Sequence, residues 1–284
     1  MEQNSISRRI MVKSSVLGLV TVSVPHIVYA KEILGMDNER QNSGAQHDRY
    51  PAIPLDIASE VVGVSHFNLD RLKELVDVRP ELAKASWDWG FGDWESAIGA
   101  ASHTGRKDII AYLISKGAVP TIFTYAVVGA YDIVKSMIDF YPGIQKGLGP
   151  HGISLLRHAK LGLTTEGGDK TKAQALVDYL ESSGNADGQQ YLTVEEIDKE
   201  KYLGDYKYGE GKDDGFTIRL NMKKLLSLGK IGKFGGALFR IGKNEFTYNG
   251  APSVSISFKI QNNKVISMTI KEPNLVLTAE KVLS

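Results

Sequence analysis

The chain has 284 residues, with 34 Lys and Arg against 33 Asp and Glu and a formal net charge of +1. That balance excludes the basic field needed for sequence-independent nucleic-acid binding, and the length leaves room for one large or two smaller domains, each with its own core. There is no cysteine, which excludes disulfides, a lipid-modified N-terminal cysteine and thiolate-held metal or iron–sulfur clusters.

Residues 1–30 read as a targeting segment rather than as part of the fold. Arg8-Arg9-Ile10-Met11-Val12-Lys13 precedes an apolar run from Val16 to Val24, diluted by Gly18, Thr21 and Ser23. The run is shorter than the roughly 20 apolar residues that span a bilayer. Pro25 breaks it, and Val28-Tyr29-Ala30 offers residues small enough for a signal peptidase. Ser7 to Lys13 resembles the twin-arginine export motif, with Met11 and Val12 standing where that motif prefers Phe and Leu. The resemblance implies a periplasmic or secreted protein that leaves the membrane once the signal is cleaved. Cleavage after Ala30 would remove Arg8, Arg9, Lys13 and Glu2, taking the formal charge from +1 to −1. Residues 31–55 are polar, with Pro51 and Pro54, and read as a linker.

Residues 56–188 are helix-forming and punctuated by glycine. Asp93 to Thr121 reads as two short antiparallel helices joined at Gly105 and stopped by Gly117. The first carries Ala100 and Ala101; the second places Ile109, Ile110, Leu113 and Ile114 on one face at helical spacing. The pattern returns as Leu72, Leu75 and Val76, again as Val134, Met137 and Ile138, and in a later helix with Val177 and Leu180. Asp70, Asp108 and Asp132 fall near the start of each second helix, where a carboxylate complements the helix dipole. The stretch resembles a degenerate array of three or four ankyrin repeats, units of about 33 residues that bury their apolar faces only against neighbours. Ser96-Ala97-Ile98-Gly99 occupies the place of the family's Thr-Pro-Leu-His corner, without its Pro or His. The resemblance implies a protein-binding scaffold.

All three tryptophans lie in Ser86-Trp87-Asp88-Trp89-Gly90-Phe91-Gly92-Asp93-Trp94, between the first and second helix pairs. In an ankyrin array such a linking segment forms a finger beside the binding surface. Trp87, Trp89, Phe91 and Trp94 are therefore the candidate partner-binding residues, as rigid aromatic anchors. The alternative is that the rings fold down and cap the core. The histidines form no His-x-x-x-His pair and join no acidic cluster at metal-ligand spacing, so they read as turn or core residues: His66 between the first two helices, His103 before Gly105, His151 and His158 around the fourth unit. No metal, no cofactor and no catalytic constellation is expected; a nucleophile elbow, a phosphate loop and a dinucleotide fingerprint are all missing.

Residues 189–284 switch to strand alternation. Candidate strands are Tyr202 to Tyr208, Phe216 to Leu220, Ala237 to Ile241, Val254 to Ile260 and Leu275 to Val282. Asn262-Asn263-Lys264 makes a tight turn into Val265 to Ile270. The Tyr-x-Gly-x-Tyr opening at Tyr202 and the closing hairpin resemble the small lipocalin-like barrel appended to β-lactamase-related hydrolases, a non-catalytic module. Between Asp214 and Glu245 every charged residue is basic, from Arg219 to Lys243. Either the lysines line the rim of paired strands, or the stretch lies on an anionic membrane surface.

The expected architecture is thus α+β and multidomain: an α-helical ankyrin-like stack followed by a small antiparallel β-barrel or meander. The expected function is an exported, non-catalytic binding protein acting on a protein partner as scaffold, inhibitor or accessory subunit. The alternative is a small-ligand-binding barrel with the repeats as docking platform, lined by Tyr206, Phe216, Phe258 and Met268.

Overall fold

The computed structural model describes residues 52–282 apart from Met222 and Phe234. The expected export signal and residues 31–51 of the expected linker lie outside the described residues. Among the described residues, eight α-helices come first, in consecutive pairs. α1 (Leu55–Val64) pairs with α2 (Leu69–Val78), and α3 (Ala97–His103) with α4 (Lys107–Ser115). α5 (Ile122–Val127) pairs with α6 (Tyr131–Phe140), and α7 (Leu155–Thr164) with α8 (Lys170–Ser183). The first helices pack on one another in order, α1 on α3, α3 on α5 and α5 on α7.

Local chemistry sets these boundaries. The side chains of Asn68, Ser96, Thr121, Ser154 and Asp169 accept hydrogen bonds from the exposed amides of α2, α3, α5, α7 and α8. Ser96 is thus a helix cap. Asp70, Asp108 and Asp132 do stand in the first turns of α2, α4 and α6. Gly105 and Gly129 end α3 and α5 with φ of +74° and +75°. The following amides, of Arg106 and Ala130, return to the Ala101 and Tyr125 carbonyls. Leu72, Val76, Ile109, Ile110, Leu113, Val134, Ile138, Leu176 and Leu180 are buried. Ile114 is not: it is 43% exposed, so the apolar face of α4 is one residue narrower than its spacing predicts.

Between α2 and α3 lies a two-stranded hairpin, β1 (Ser86–Asp88) with β2 (Trp94–Ser96), in which Trp87 faces Glu95. After a short helix, α9 (Glu196–Lys199), the remaining chain forms a closed antiparallel barrel. Its eight strands are β3 (Gly204–Lys207), β4 (Gly215–Leu220), β5 (Leu226–Lys230), β6 (Gly236–Gly242), β7 (Glu245–Tyr248), β8 (Ser255–Gln261), β9 (Lys264–Glu272) and β10 (Leu275–Lys281). Each pairs with the next, and β10 closes on β3. The β8–β9 turn falls where the alternation placed it, with Gln261 opposite Lys264 and both Asn262 and Asn263 at positive φ.

The barrel is filled by its own side chains. Tyr206, Ile218, Leu228, Phe246, Ile256, Met268 and Ile270 are fully buried, and the Phe258 ring packs against Tyr202, Tyr206 and Phe246. Three of the four candidate ligand-lining residues, Tyr206, Phe258 and Met268, are therefore core, and Phe216 is half-buried against the same cluster. Lys224, Lys230 and Lys233 stand on exposed turns and strand ends, while the Arg240 guanidinium is spent on the Thr193, Gly242 and Lys243 carbonyls. Among the described residues no helix is long and apolar enough to cross a membrane. Pro54 to Ser284 make up one compact unit, helices and barrel together.

Candidate metal centre and pocket

Four side chains from separate parts of the helical region converge at its junction with the barrel: His66, Glu95, His103 and His151. His66 follows α1, and its Nδ1 donates to the Val62 and Gly63 carbonyls, each at 3.0 Å. His103 is the last residue of α3. Glu95 is the middle residue of β2, and its side chain is completely buried. His151 sits in a short 3₁₀ turn (Pro150–Gly152) before α7, at a left-handed φ of 59°. That conformation is costly for a residue with a Cβ. Asp93 holds it in place, accepting from the His151 amide at 2.9 Å and from its Nδ1 at 2.7 Å. The barrel braces Asp93 in turn, because the Asn249 amide group donates to it at 2.6 Å.

Glu95 is the hub. Its Oε2 accepts from the Trp89 indole at 2.7 Å and lies 3.3 Å from His66 Nε2. Its Oε1 lies 2.8 Å from His103 Nε2 and 3.4 Å from His151 Nε2. Despite that short distance, both Glu95 Oε1 and His103 Nε2 are buried without a hydrogen-bond partner.

Burial would push the Glu95 carboxyl up, but the three imidazoles, His103 foremost, outweigh it and hold it far below the usual carboxylate range. Burial likewise opposes charge on His151, yet the bond to Asp93 and the nearby Glu95 carboxylate lift it to about 9. His66 is raised against its burial by Glu95 and the two carbonyls. His103, the most enclosed of the three imidazoles, is lowered by burial despite Glu95. Asp93 is lowered, its desolvation overcome by His151 and Asn249.

The cluster opens into a cavity of about 400 Å³. His66, His103, His151 and Trp89 line the helical side, while Arg157 of α7 and Lys223, in the β4–β5 turn, bring positive charge to the same space. Tyr248 and Asn249 line the barrel side. Burial beside the pocket and the nearby Arg157 guanidinium both lower the Lys223 ammonium.

The candidate anchors divide. Trp89 is 37% exposed, bonded to Glu95 and part of the pocket wall. Trp87 is half-buried on β1, and Phe91 packs edge-on against Tyr248 of the barrel at 4.9 Å. Only Trp94, at 65% exposure, stands out in solvent. Of the four, Phe91 thus ties the hairpin to the barrel, Trp89 walls the pocket and Trp94 stays open to solvent. None of Tyr206, Phe216, Phe258 and Met268 lines the cavity. Sequence spacing missed the His66–Glu95–His103–His151 cluster because its members are far apart along the chain. The one signal present was that all three histidines fall at helix ends or in turns.

No protein-family model matches the chain, and no curated protein is significantly similar to it.

Proposed function

We propose that this chain binds a small anionic molecule at the junction of helices and barrel. The observation that carries the reading is the cavity of about 400 Å³, walled by three imidazoles and by Arg157 and Lys223. Its volume falls in the range of small-molecule sites, about 300–1,000 Å³, whereas the barrel interior is occupied by a buried cluster of its own side chains. The helix pairs, read as ankyrin-like repeats, act as the platform that supplies the polar wall. The repeated glycine turns after α3 and α5 support that reading. The resemblance of Ser7 to Lys13 to a twin-arginine signal supports action in the periplasm or outside the cell.

The test is thermal denaturation of the full chain in EDTA with phosphate, pyrophosphate, succinate and citrate as probes. A saturable rise in Tm with at least one probe, abolished in Arg157→Ala/Lys223→Ala, is expected. No rise with any of them counts against an anion site.

Trp94 favours a second reading, a protein partner engaged on the outer face of the hairpin, because a solvent-exposed tryptophan is a common interface hot spot. Recovery of one protein from periplasmic extract by the wild type but not by Trp94→Ala would support it.

A further inference from the structure

Two of the three imidazoles have their tautomers set. His66 Nδ1 faces only backbone carbonyls, and His151 Nδ1 faces the Asp93 carboxylate. Both must therefore carry a proton, which leaves each Nε2 either as a lone pair or as the second N–H of a cation. Each of these Nε2 atoms lies close to the buried Glu95 carboxylate, at 3.3 Å for His66 and 3.4 Å for His151.

We propose that Nε2 of His66, His103 and His151 and the carboxylate of Glu95 bind one divalent first-row transition-metal ion. The four ligand atoms lie within 4.8 Å of one another. An ion bound at about 2.0–2.2 Å by nitrogen and oxygen would hold its ligands roughly 3–4 Å apart, and the observed separations from Glu95 are 2.8, 3.3 and 3.4 Å. The unpartnered Glu95 Oε1 and His103 Nε2 are what a shared ion would satisfy. The outer atoms match as well. Metal-bound imidazoles commonly donate their remote N–H to a carbonyl or a carboxylate, as His66 does to Val62 and Gly63 and His151 does to Asp93. Imidazole and carboxylate donors without thiolate suit zinc, cobalt, nickel, iron or manganese in the divalent state and disfavour Cu(I). Because all three histidines also line the cavity, the ion would face the pocket and could take one oxygen of the anion proposed above. That last step rests on the pocket reading; the metal site does not.

The experiment is a Co²⁺ titration of the untagged full chain after stripping with EDTA, followed by visible absorption and then by displacement with Zn²⁺. One equivalent of Co²⁺ producing a ligand-field band that one equivalent of Zn²⁺ removes is expected. His103→Ala should weaken the apparent affinity at least about 100-fold, and the conservative Asp93→Asn, which alters the acceptor of the His151 amide and of its remote nitrogen, about 10–100-fold. His158→Leu, outside the cluster, should leave it unchanged. A band that persists unaltered in a folded His103→Ala variant, or no band with one equivalent of Co²⁺ on folded wild type, overturns the site. Anion binding in EDTA without Co²⁺ uptake would remove the metal and keep the pocket. Co²⁺ uptake without anion binding would do the reverse.

Discussion

The barrel interior and the junction cluster are both buried, and they are built on opposite principles. Inside the barrel, Tyr206, Phe246, Phe258 and Met268 exclude water by packing, and the polar groups among them are satisfied, as where the Tyr206 hydroxyl donates to the Tyr202 carbonyl at 2.7 Å. At the junction, a carboxylate and three imidazoles are enclosed with a neighbouring Asp93, and two polar atoms are left without partners. Apolar burial stabilises whatever encloses it, roughly in proportion to area. Burial of polar groups is unfavourable unless each is satisfied. The contrast separates a region whose burial stabilises the fold from one whose burial costs free energy.

The sharpest way to press the contrast is to cut each region in turn. Phe246→Ala deletes a fully buried ring that packs edge-on against Tyr202 and Phe258. It should cost about 3–5 kcal/mol in urea denaturation, the largest loss expected of any single change discussed. An equally large loss from the isosteric Glu95→Gln would mean that the junction, too, is chiefly a structural core.

His158 offers a test by pH. It is buried in α7 with Nε2 unpartnered, while its Nδ1 donates to the Ser154 carbonyl at 2.8 Å. Burial lowers it to about 4; the Ser154 carbonyl opposes the shift, and His103 and Arg157 add to it. The unfolded chain therefore takes up this proton near the ordinary value of 6.5, while the folded chain resists until about 4. The neutral ring imposes no penalty above pH 6.5, and stability falls as the pH drops through that window, by about 1.4 kcal/mol per unit, to a total of order 3 kcal/mol. In His158→Leu that part of the acid-induced loss should disappear. Parallel stability profiles for wild type and variant between pH 6.5 and 4 would show that the ring is not held neutral.

How much of this could be read in advance depends on the range of the signal. The hairpin at Asn262-Asn263 and the helix starts at Asp70, Asp108 and Asp132 depend on neighbours a few residues away, so alternation and capping chemistry disclose them. Closure of the barrel was less visible, because it requires β10 to find β3 across the whole region. The cluster was the least visible. His66, Glu95, His103 and His151 share no spacing, and the packing of α1 on α3 and of the Pro150 turn beside α3 brings them together. The turn positions of the histidines hinted at a common edge, since equivalent ends of serially packed helices lie side by side. Glu95 had no such mark: nothing local distinguishes the inward-facing carboxylate of a three-residue strand.

A smaller effect probes how the two regions join. Gly152 has a φ of +67°, and a Cβ there would meet the Asn249 carbonyl oxygen at 2.4 Å. Asn249 also holds Asp93, which holds His151. Gly152→Ala should therefore cost about 2 kcal/mol through backbone strain and displacement of the barrel turn. It should also weaken Co²⁺ binding, although it touches no proposed ligand. Stability lost with Co²⁺ affinity intact would mean that the barrel contact supports the fold alone.

The smallest expected effect separates two tryptophans five residues apart in one hairpin. Trp94 is mostly in solvent, and its truncation to alanine should change stability by less than about 0.5 kcal/mol, as for other surface changes. Trp89→Phe keeps most of the ring area but removes the indole N–H that Glu95 Oε2 accepts at 2.7 Å. A hydrogen bond to a charged acceptor contributes about 1.5–3 kcal/mol, and its loss leaves a buried carboxylate oxygen less satisfied. Zn²⁺ bound at the cluster should recover part of that loss, because the ion offers the Glu95 carboxylate a new partner. Equal losses for Trp89→Phe with and without Zn²⁺ would confine the indole to a structural role and leave the hub of the cluster to the histidines.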